Sequence, residues 1–444
     1  MSKAKIIAGV DVGSSKVATT IASEGEGEKT IRVLGSASIP SRGIRKGQIV
    51  NIEEASDVII ESVEAAERMA GYSLGHVFVS VGGQQVASQN SKGVVAVAEP
   101  ENEINQEDVR RVTEAAKAVS LPSSREIVNV LTRSYSVDGQ GGIADPVGMS
   151  GVRLEVEAHI VTGATTAIRN LTKCVSEIGA DIAGLVITGV ASAEAVLTET
   201  EKELGVILID LGGGTTSMVV FLEGSPAYTS ILPVGARNVT NDLAIGLRLP
   251  LDAAEKVKVY LSKNQNRPKT EELEKKKKSK RSKDKLPIVP KKEWEDEFDL
   301  AMIGAAEDSK KVSRRTLVEG IIRPRLNEIF NLVGMELKKS GLGGMTPSGV
   351  VLCGGGAKTV GVVDSARRTL SLPVRVGLPQ DVTGLVDDVL TPEFAASVGL
   401  VKYAFKKGFK TNKRFSNLVG QTLAKFKVRG LAERAFDLVK SVLP

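Results

Sequence analysis

Short apolar runs bounded by glycine alternate along this chain with longer stretches in which apolar positions recur every three or four residues. That alternation of strand-like and helix-like segments is the pattern of a mostly parallel sheet with crossover helices. Residues 1–50 read as strands joined by tight turns, and residues 52–69 as an amphipathic helix. Residues 76–97 are again strand-like, 106–119 helical and 126–137 a strand. The glycine-rich stretch 139–151 reads as a long loop, followed by a strand over 154–161, a helix over 164–178 and a strand over 184–189. After Gly205 the pattern restarts with a second strand-turn-strand signature, which predicts an α/β fold with two related halves.

Three glycine-rich turns each follow an apolar run: GVDVGSS at 9–15, IDLGGGTT at 209–216 and LCGGGAK at 352–358. Glycine lets a backbone N–H reach a phosphate oxygen that a Cβ would hold away. Gly13, Gly212, Gly213, Gly214, Gly354, Gly355 and Gly356 are therefore candidate cradle positions. Ser14, Ser15, Thr215 and Thr216 add hydroxyl donors, and Lys16 and Lys358 add positive charge. Asp11 and Asp210 each fall at a strand tip, where a carboxylate can hold hydrated Mg²⁺ beside phosphates. Three turns in this order suggest two sheets closing on one nucleotide, as in the actin and sugar-kinase plan, with the third turn in the place of the adenosine loop. Glu255 and Lys258, three apart on one helix face, could meet the ribose and purine or form an ordinary ion pair.

Composition narrows the class. At 444 residues, 42% apolar and 25% charged, the chain can bury a large core in two or more domains. Cys174 and Cys353 lie far apart in apolar surroundings, so no disulfide framework is expected and a reducing cytoplasm is the default. Two histidines are too few for a His-rich metal site. A strand begins almost at the N-terminus, leaving no room for a signal peptide, and no run approaches the roughly 18 apolar residues of a membrane span, so a soluble or peripheral protein is expected.

The net charge of +6 is unevenly placed. KKKKSKRSKDK at 275–285, followed by an acidic run at 293–299, reads as a solvated insertion. No aromatic residue is interleaved with its lysines, so nucleic acid is not expected as a partner. A second basic concentration, Lys402, Lys406, Lys407, Lys410, Lys413 and Arg414, leads into the last stretch of the chain. There Phe415, Leu418, Val419, Leu423 and Phe426 recur at helical spacing among basic residues, and Leu431, Phe436 and Val439 continue beyond Gly430. This is the pattern of an interfacial helix drawn to anionic lipid, the alternative being a helix packed on protein.

GVDVGSSKV from Gly9, HVFVSVGGQQVASQNSKGVV from His76, GIADPVGMSGVRLEVEAHIVT from Gly142, VLTETEKELGVILIDLGGGTT from Val196, VSRRTLVEGIIRPRLNEI from Val312 and GVVLCGGGAKTVGV from Gly349 resemble the FtsA family of bacterial cell-division actin homologues. The resemblance covers roughly residues 4–403, and DPVGMSGVRLE, in an inserted subdomain that FtsA shares with PilM, is its specific signal. It implies an actin-like two-domain ATPase fold whose first core subdomain spans 1–75 and 164–204, with an inserted α/β subdomain at 76–163. The second core subdomain would span 205–246 and 332–403, with a small subdomain at 247–331 that carries the lysine-rich insertion 262–299, and a basic linker and membrane-targeting region at 404–444.

The resemblance also implies ATP and Mg²⁺ as ligands, filaments of the chain itself, and tethering of FtsZ at the cytoplasmic face of the membrane at the division site, with recruitment of later division proteins. The FtsZ C-terminal peptide would dock on the small subdomain, where Arg323 and Arg325 of IIRPRLNEI are the candidate contacts. The insertion 262–299 departs from the family pattern, and the linker before the tail is short. Alignment of ITGVASAEAVL puts Val190 where hydrolysing relatives carry a water-positioning Glu, with Glu194 a turn later, so hydrolysis is expected to be slow or negligible. A PilM-like component of type IV pilus assembly is the alternative, and would lack the membrane helix. A sugar kinase would need a base facing a sugar pocket, and the sequence offers no convincing one.

Overall fold

The computed structural model describes residues 5–25, 30–97, 103–263, 296–385 and 387–408. The lysine block 275–285 and the tail positions Phe415, Leu418, Val419, Leu423, Phe426, Leu431, Phe436 and Val439 lie outside the described residues.

The first half opens with β1 (Ile6–Val12), β2 (Lys16–Glu24), β3 (Ile31–Pro40), a small hairpin of β4 (Ile44–Arg45) and β5 (Gln48–Ile49), α1 (Ile52–Ala70) and β6 (His76–Val81). The chain then leaves for an inserted unit: β7 (Ala87–Ala96), α2 (Gln106–Lys117), β8 (Arg125–Val137), β9 (Gln140–Ile143) and β10 (Arg153–Ala164). It returns through α3 (Thr165–Ser176), β11 (Asp181–Ile187), α4 (Thr188–Val196) and α5 (Glu199–Leu204). The second half contains β12 (Val206–Leu211), β13 (Thr216–Leu222), β14 (Ser225–Leu232), α6 (Ala236–Leu247), α7 (Leu251–Lys263), β15 (Glu297–Asp299), β16 (Lys311–Ser313), α8 (Arg314–Leu317), a π-helical turn at Val318–Ile322, and α9 (Arg323–Ser340). It ends with β17 (Val350–Cys353), α10 (Val362–Leu370), β18 (Val374–Val376), β19 (Val382–Gly384) and α11 (Ala395–Lys407).

Two sheets repeat one local plan. The first has the order β11-β6-β1-β2-β3-β19, the second β14-β13-β12-β17-β18. In each, an antiparallel hairpin (β1–β2, β12–β13) is followed on its other side by a parallel strand (β6, β17). The strands are nearly all-buried runs of Val, Ile, Leu and Ala because both faces of each sheet are covered. α1 shows how sequence sets such a cover. Asn51 caps its start by accepting from Glu54 N–H, Gly71 ends it at φ 70, and Ala55, Val58, Ile59, Val63 and Ala66 form its buried face. Gly35 of β3 lets this helix press close, since a Cβ there would lie 2.4 Å from the Ala66 carbonyl oxygen.

β19 and α11, from the far end of the chain, belong to the first half. β19 pairs with β3, and Val398, Leu400 and Val401 of α11 join the core of β1, β2 and α4. The inserted sheet, order β7-β10-β8-β9, has its own apolar core of Val112, Ala116, Leu154, Val156 and Ala158 beneath α2. Two local expectations are corrected here. The glycine-rich stretch 139–151 contains β9, which pairs with β8 across a tight turn. The strand expected at 184–189 begins at Asp181, and Gly189 falls inside α4, where it allows contact with Val219 of β13.

Candidate functional site

The three glycine turns meet on one cavity of about 1290 Å³ between the halves. The first turn closes with Gly13 N–H donating to Lys16 O at 3.1 Å, the second with Gly212 N–H donating to Thr215 O at 2.9 Å. Gly13, Ser14, Ser15 and Lys16 line the cavity on one side, and Gly212, Gly213 and Thr215 on the other. The two turns interlock. A Cβ on Gly213 would lie 1.8 Å from Ser15 Oγ, and one on Gly214 would lie 2.9 Å from Ser14 Cβ. Gly214 therefore serves this contact and is not among the residues lining the cavity.

The third turn follows β17 at Gly354, whose φ of +80° favours glycine. Its N–H donates to Pro392 O at 2.8 Å, and a Cβ there would meet Asp210 Oδ1 at 2.3 Å. Gly354, Gly355, Gly356 and Lys358 all line the cavity.

Asp11 and Asp210 face the cavity from the tips of β1 and β12. Ser80 of β6 supports the first, donating to Asp11 Oδ1 at 2.7 Å while accepting from Val12 N–H at 3.0 Å. Ser192 of α4 donates to Asp210 Oδ2. Burial raises both carboxyls above the ordinary aspartate value, Asp210 to about 6, with the charge of Asp11 adding to the rise at Asp210. Burial also drives the neighbouring Cys353 thiol well up.

Lys16 carries a buried ammonium with no hydrogen-bond partner among the described residues, 4.3 Å from the centre of the Phe394 ring. Burial holds its pKa below the usual lysine value, against the pull of Glu393 and Asp11. Lys358, in contrast, pairs with Glu393 at 2.7 Å. At the far end of the cavity Glu255 and Lys258 pair at 2.7 Å. Thr240 joins them, donating to Glu255 at 2.6 Å and accepting from Lys258 at 2.9 Å.

Other candidates stand apart. Thr216 is wholly buried in β13 and its hydroxyl donates to Val234 O at 2.8 Å, so it does not reach the cradle. Arg325 is held by Asp242 at 2.6 and 2.9 Å and by Glu328, and Arg323 by Glu319 at 2.9 Å, so neither guanidinium is a free cation. Val190 is buried in α4, while Glu194 is engaged by Lys202 and Lys406. Lys402 pairs with Asp381, so with Lys406 on Glu194 two lysines of the expected basic run are engaged within the chain.

Sequence reading missed Ser80, Ser192, Thr240 and Glu393. The first two had a signal, as hydroxyls within the largely apolar runs HVFVSV and TGVASAEAV. Thr240 and Glu393 had none, because their partners are 15 or more residues away.

The comparisons with known proteins agree with this architecture. The family described as "SHS2 domain inserted in FTSA" matches residues 83–162, and that described as "Cell division protein FtsA" matches residues 207–399. The FtsA protein of Pseudomonas aeruginosa is 37% identical over 407 residues, 91% of this chain and 90% of that protein. FtsA of Bacillus subtilis is 35% identical over 407 residues, 91% of this chain and 84% of that one. Among solved structures, the PilM-PilN type IV pilus biogenesis complex superposes with a TM-score of 0.59 at 16% identity, covering 89% of this chain and 97% of that one. MreB5 of Spiroplasma citri bound to ADP gives a TM-score of 0.51 at 13% identity, covering 91% and 97%. At those identities PilM and MreB5 share the actin-like fold with this chain. The sequence matches go further, and by them the chain belongs to the FtsA family of cell division proteins.

Proposed function

We propose that the cleft binds ATP with Mg²⁺ and that the nucleotide licenses polymerisation of this chain on the cytoplasmic face of the membrane. The polymer would tether FtsZ there and recruit later division proteins. The observation that carries the nucleotide reading is the buried, unpartnered ammonium of Lys16, set among three glycine turns whose backbone approaches one cavity. A polyphosphate supplies the missing partner. The ADP-bound MreB5 that shares the fold supports the same reading.

The donor set fits a hard cation. Asp210 is buried and Asp11 partly buried, each is raised in pKa, and a divalent ion held by them would favour their charged forms. Among the described residues no group of three or more acidic, His or Cys side chains could hold a metal alone, so the ion would also need oxygens of the nucleotide and of water. When bound, Mg²⁺ neutralises phosphate charge. Ser80 and Ser192 hold the two carboxylates in place, and Lys16 meets the phosphate charge. With Val190 apolar and Glu194 ion-paired, neither position offers a free base to orient water, which supports slow hydrolysis.

No described helix is long and apolar enough to cross a membrane. Membrane contact in this reading belongs to the apolar stripes beyond residue 413, and the FtsZ peptide docks on the small subdomain, where Arg323 and Arg325 would share their charge between the peptide and their partners Glu319 and Asp242. The test is co-sedimentation of the full chain with anionic liposomes, with and without Mg-ATP, against a chain ending at residue 408. ATP-promoted pelleting lost on truncation supports the reading. Pelleting of neither form removes the tether and favours a PilM-like role.

A further inference from the structure

The inserted unit is spliced into the first half, yet its strands bond to the second. β14 is the open edge of the second-half sheet, and an edge strand leaves N–H and C=O groups without ladder partners. Ser88 of β7 stands in for the missing strand, its Oγ accepting from Thr229 N–H at 3.1 Å and donating to Thr229 O at 2.8 Å. Asn90 Nδ2 donates to Ala227 O at 3.2 Å, and Ser225 Oγ donates to Arg133 O at 3.2 Å. His159 of β10 completes the seam, with Nδ1 2.7 Å from Asn90 Oδ1 and Nε2 2.9 Å from Thr229 Oγ1. Since Asn90 Oδ1 can only accept, the ring proton sits on Nδ1, and Nε2 accepts from the threonine hydroxyl. His159 and Thr229 are 1% and 2% exposed, so the middle of the seam is closed to water, while Asn90 lies at its exposed rim.

The chain just after β14 is tied to the second glycine turn. Thr216 Oγ1 donates to Val234 O, and at the start of α6 Ala236 N–H donates to Gly212 O at 2.9 Å and Arg237 N–H to Gly213 O at 2.8 Å. β14 therefore carries the seam, and the link that follows it carries the support of that turn. The first turn meets the second through Ser15 against Gly213. A rotation that parts the two turns moves β14 with the second half and β7 and β10 with the first, and so shears the seam.

We propose that this seam is a latch, made when the two phosphate turns abut and released when the cleft opens, so that the inserted unit registers the state of the cleft. The role of nucleotide in closing it rests on the reading given above. By linkage, a ligand that holds the turns together strengthens the latch, and a weakened latch lowers apparent affinity for that ligand.

The test is amide hydrogen exchange on the full chain carrying Ser88→Ala and Thr229→Val, with Ser225→Ala as a milder variant at the rim should the pair fold poorly. Without nucleotide, the variants should raise exchange at residues 13–16 and 212–216 by about threefold or more, as expected for loss of buried hydrogen bonds. Mg-ATP should slow exchange across residues 87–96 in the wild type, lose that effect in the variants, and bind them about 3- to 10-fold more weakly. Unchanged exchange at both turns in the nucleotide-free variants overturns the latch. So does wild-type protein whose residues 212–216 are protected by Mg-ATP while 87–96 are not. If Mg-ATP does not bind the wild type at all, the nucleotide reading fails, and the latch is decided by the nucleotide-free exchange.

Discussion

The first two glycine turns are built on one backbone plan and differ in what fills it. Asp11-Val12-Gly13-Ser14-Ser15-Lys16 and Asp210-Leu211-Gly212-Gly213-Gly214-Thr215 align station by station, each closed by the bond from its glycine N–H to the residue three on. The first turn puts hydroxyls where the second has glycines, and the hydroxyls occupy the space the absent Cβ atoms leave. The last station is a buried ammonium in one and a threonine in the other. Glycine here has two settings, contact between protein turns at Gly213 and Gly214 and an open place on the cavity wall at Gly355, and local sequence does not distinguish them.

Substitution separates the two settings. Gly354→Ala should have the largest effect, a loss of about 3 kcal/mol or more in denaturant melts, because a Cβ collides with Asp210 Oδ1 at a φ of +80°. Gly355 has nothing within 4 Å of its Cβ position, so Gly355→Ala should leave the melt unchanged and weaken only Mg-ATP binding. Equal effects from the pair would erase the distinction.

Lys16→Met sharpens the contrast at the last station. Removing a charge-assisted contact should weaken Mg-ATP binding about 10- to 100-fold in titration calorimetry, while the free chain melts no lower than wild type because a buried, unpartnered charge is gone. A less stable free chain with unaltered binding would make Lys16 a packing residue over Phe394.

His159 gives a smaller, pH-dependent effect. Burial, with the charge of Arg133, holds its pKa at about 4, against 6.5 for the free side chain. Between those values the unfolded chain binds more protons, so this contribution is complete above about pH 6.5 and falls as pH drops towards 4. At pH 5 the loss is about 2 kcal/mol, and His159→Gln should flatten that part of the pH dependence of melting. The smallest effect concerns the small subdomain. Arg325→Ala and Asp242→Ala should each cost about 1 kcal/mol, and together little more than either, as expected for one shared ion pair. Additive losses would free Arg325 for a partner.

Much of this architecture is legible in the sequence because its signals are local. Val206–Leu211 is a short apolar run ending in Asp and glycines, and Ile52–Ala70 has its cap, its period and its terminal Gly71 in place. β9 was hidden because glycines at 139, 141 and 142 read as breakers, although Gly139 with Asp138 supplies the positive φ of the hairpin turn and the other two lie within the strand. The engagement of Arg325 by Asp242, 83 residues away, and of Thr216 by Val234 depends on tertiary placement that no local period encodes. The same holds for His159, which shows in sequence only as one of several polar residues in the strand Arg153–Ala164.

The capped edge of β14 also bears on the order in which the chain is made. Ser88, Asn90 and His159 all leave the ribosome before residues 225–232 do, and the inserted unit has a core of its own to fold around. An edge strand that emerges alone is open to pairing with another chain. This one emerges to find its cover already synthesised.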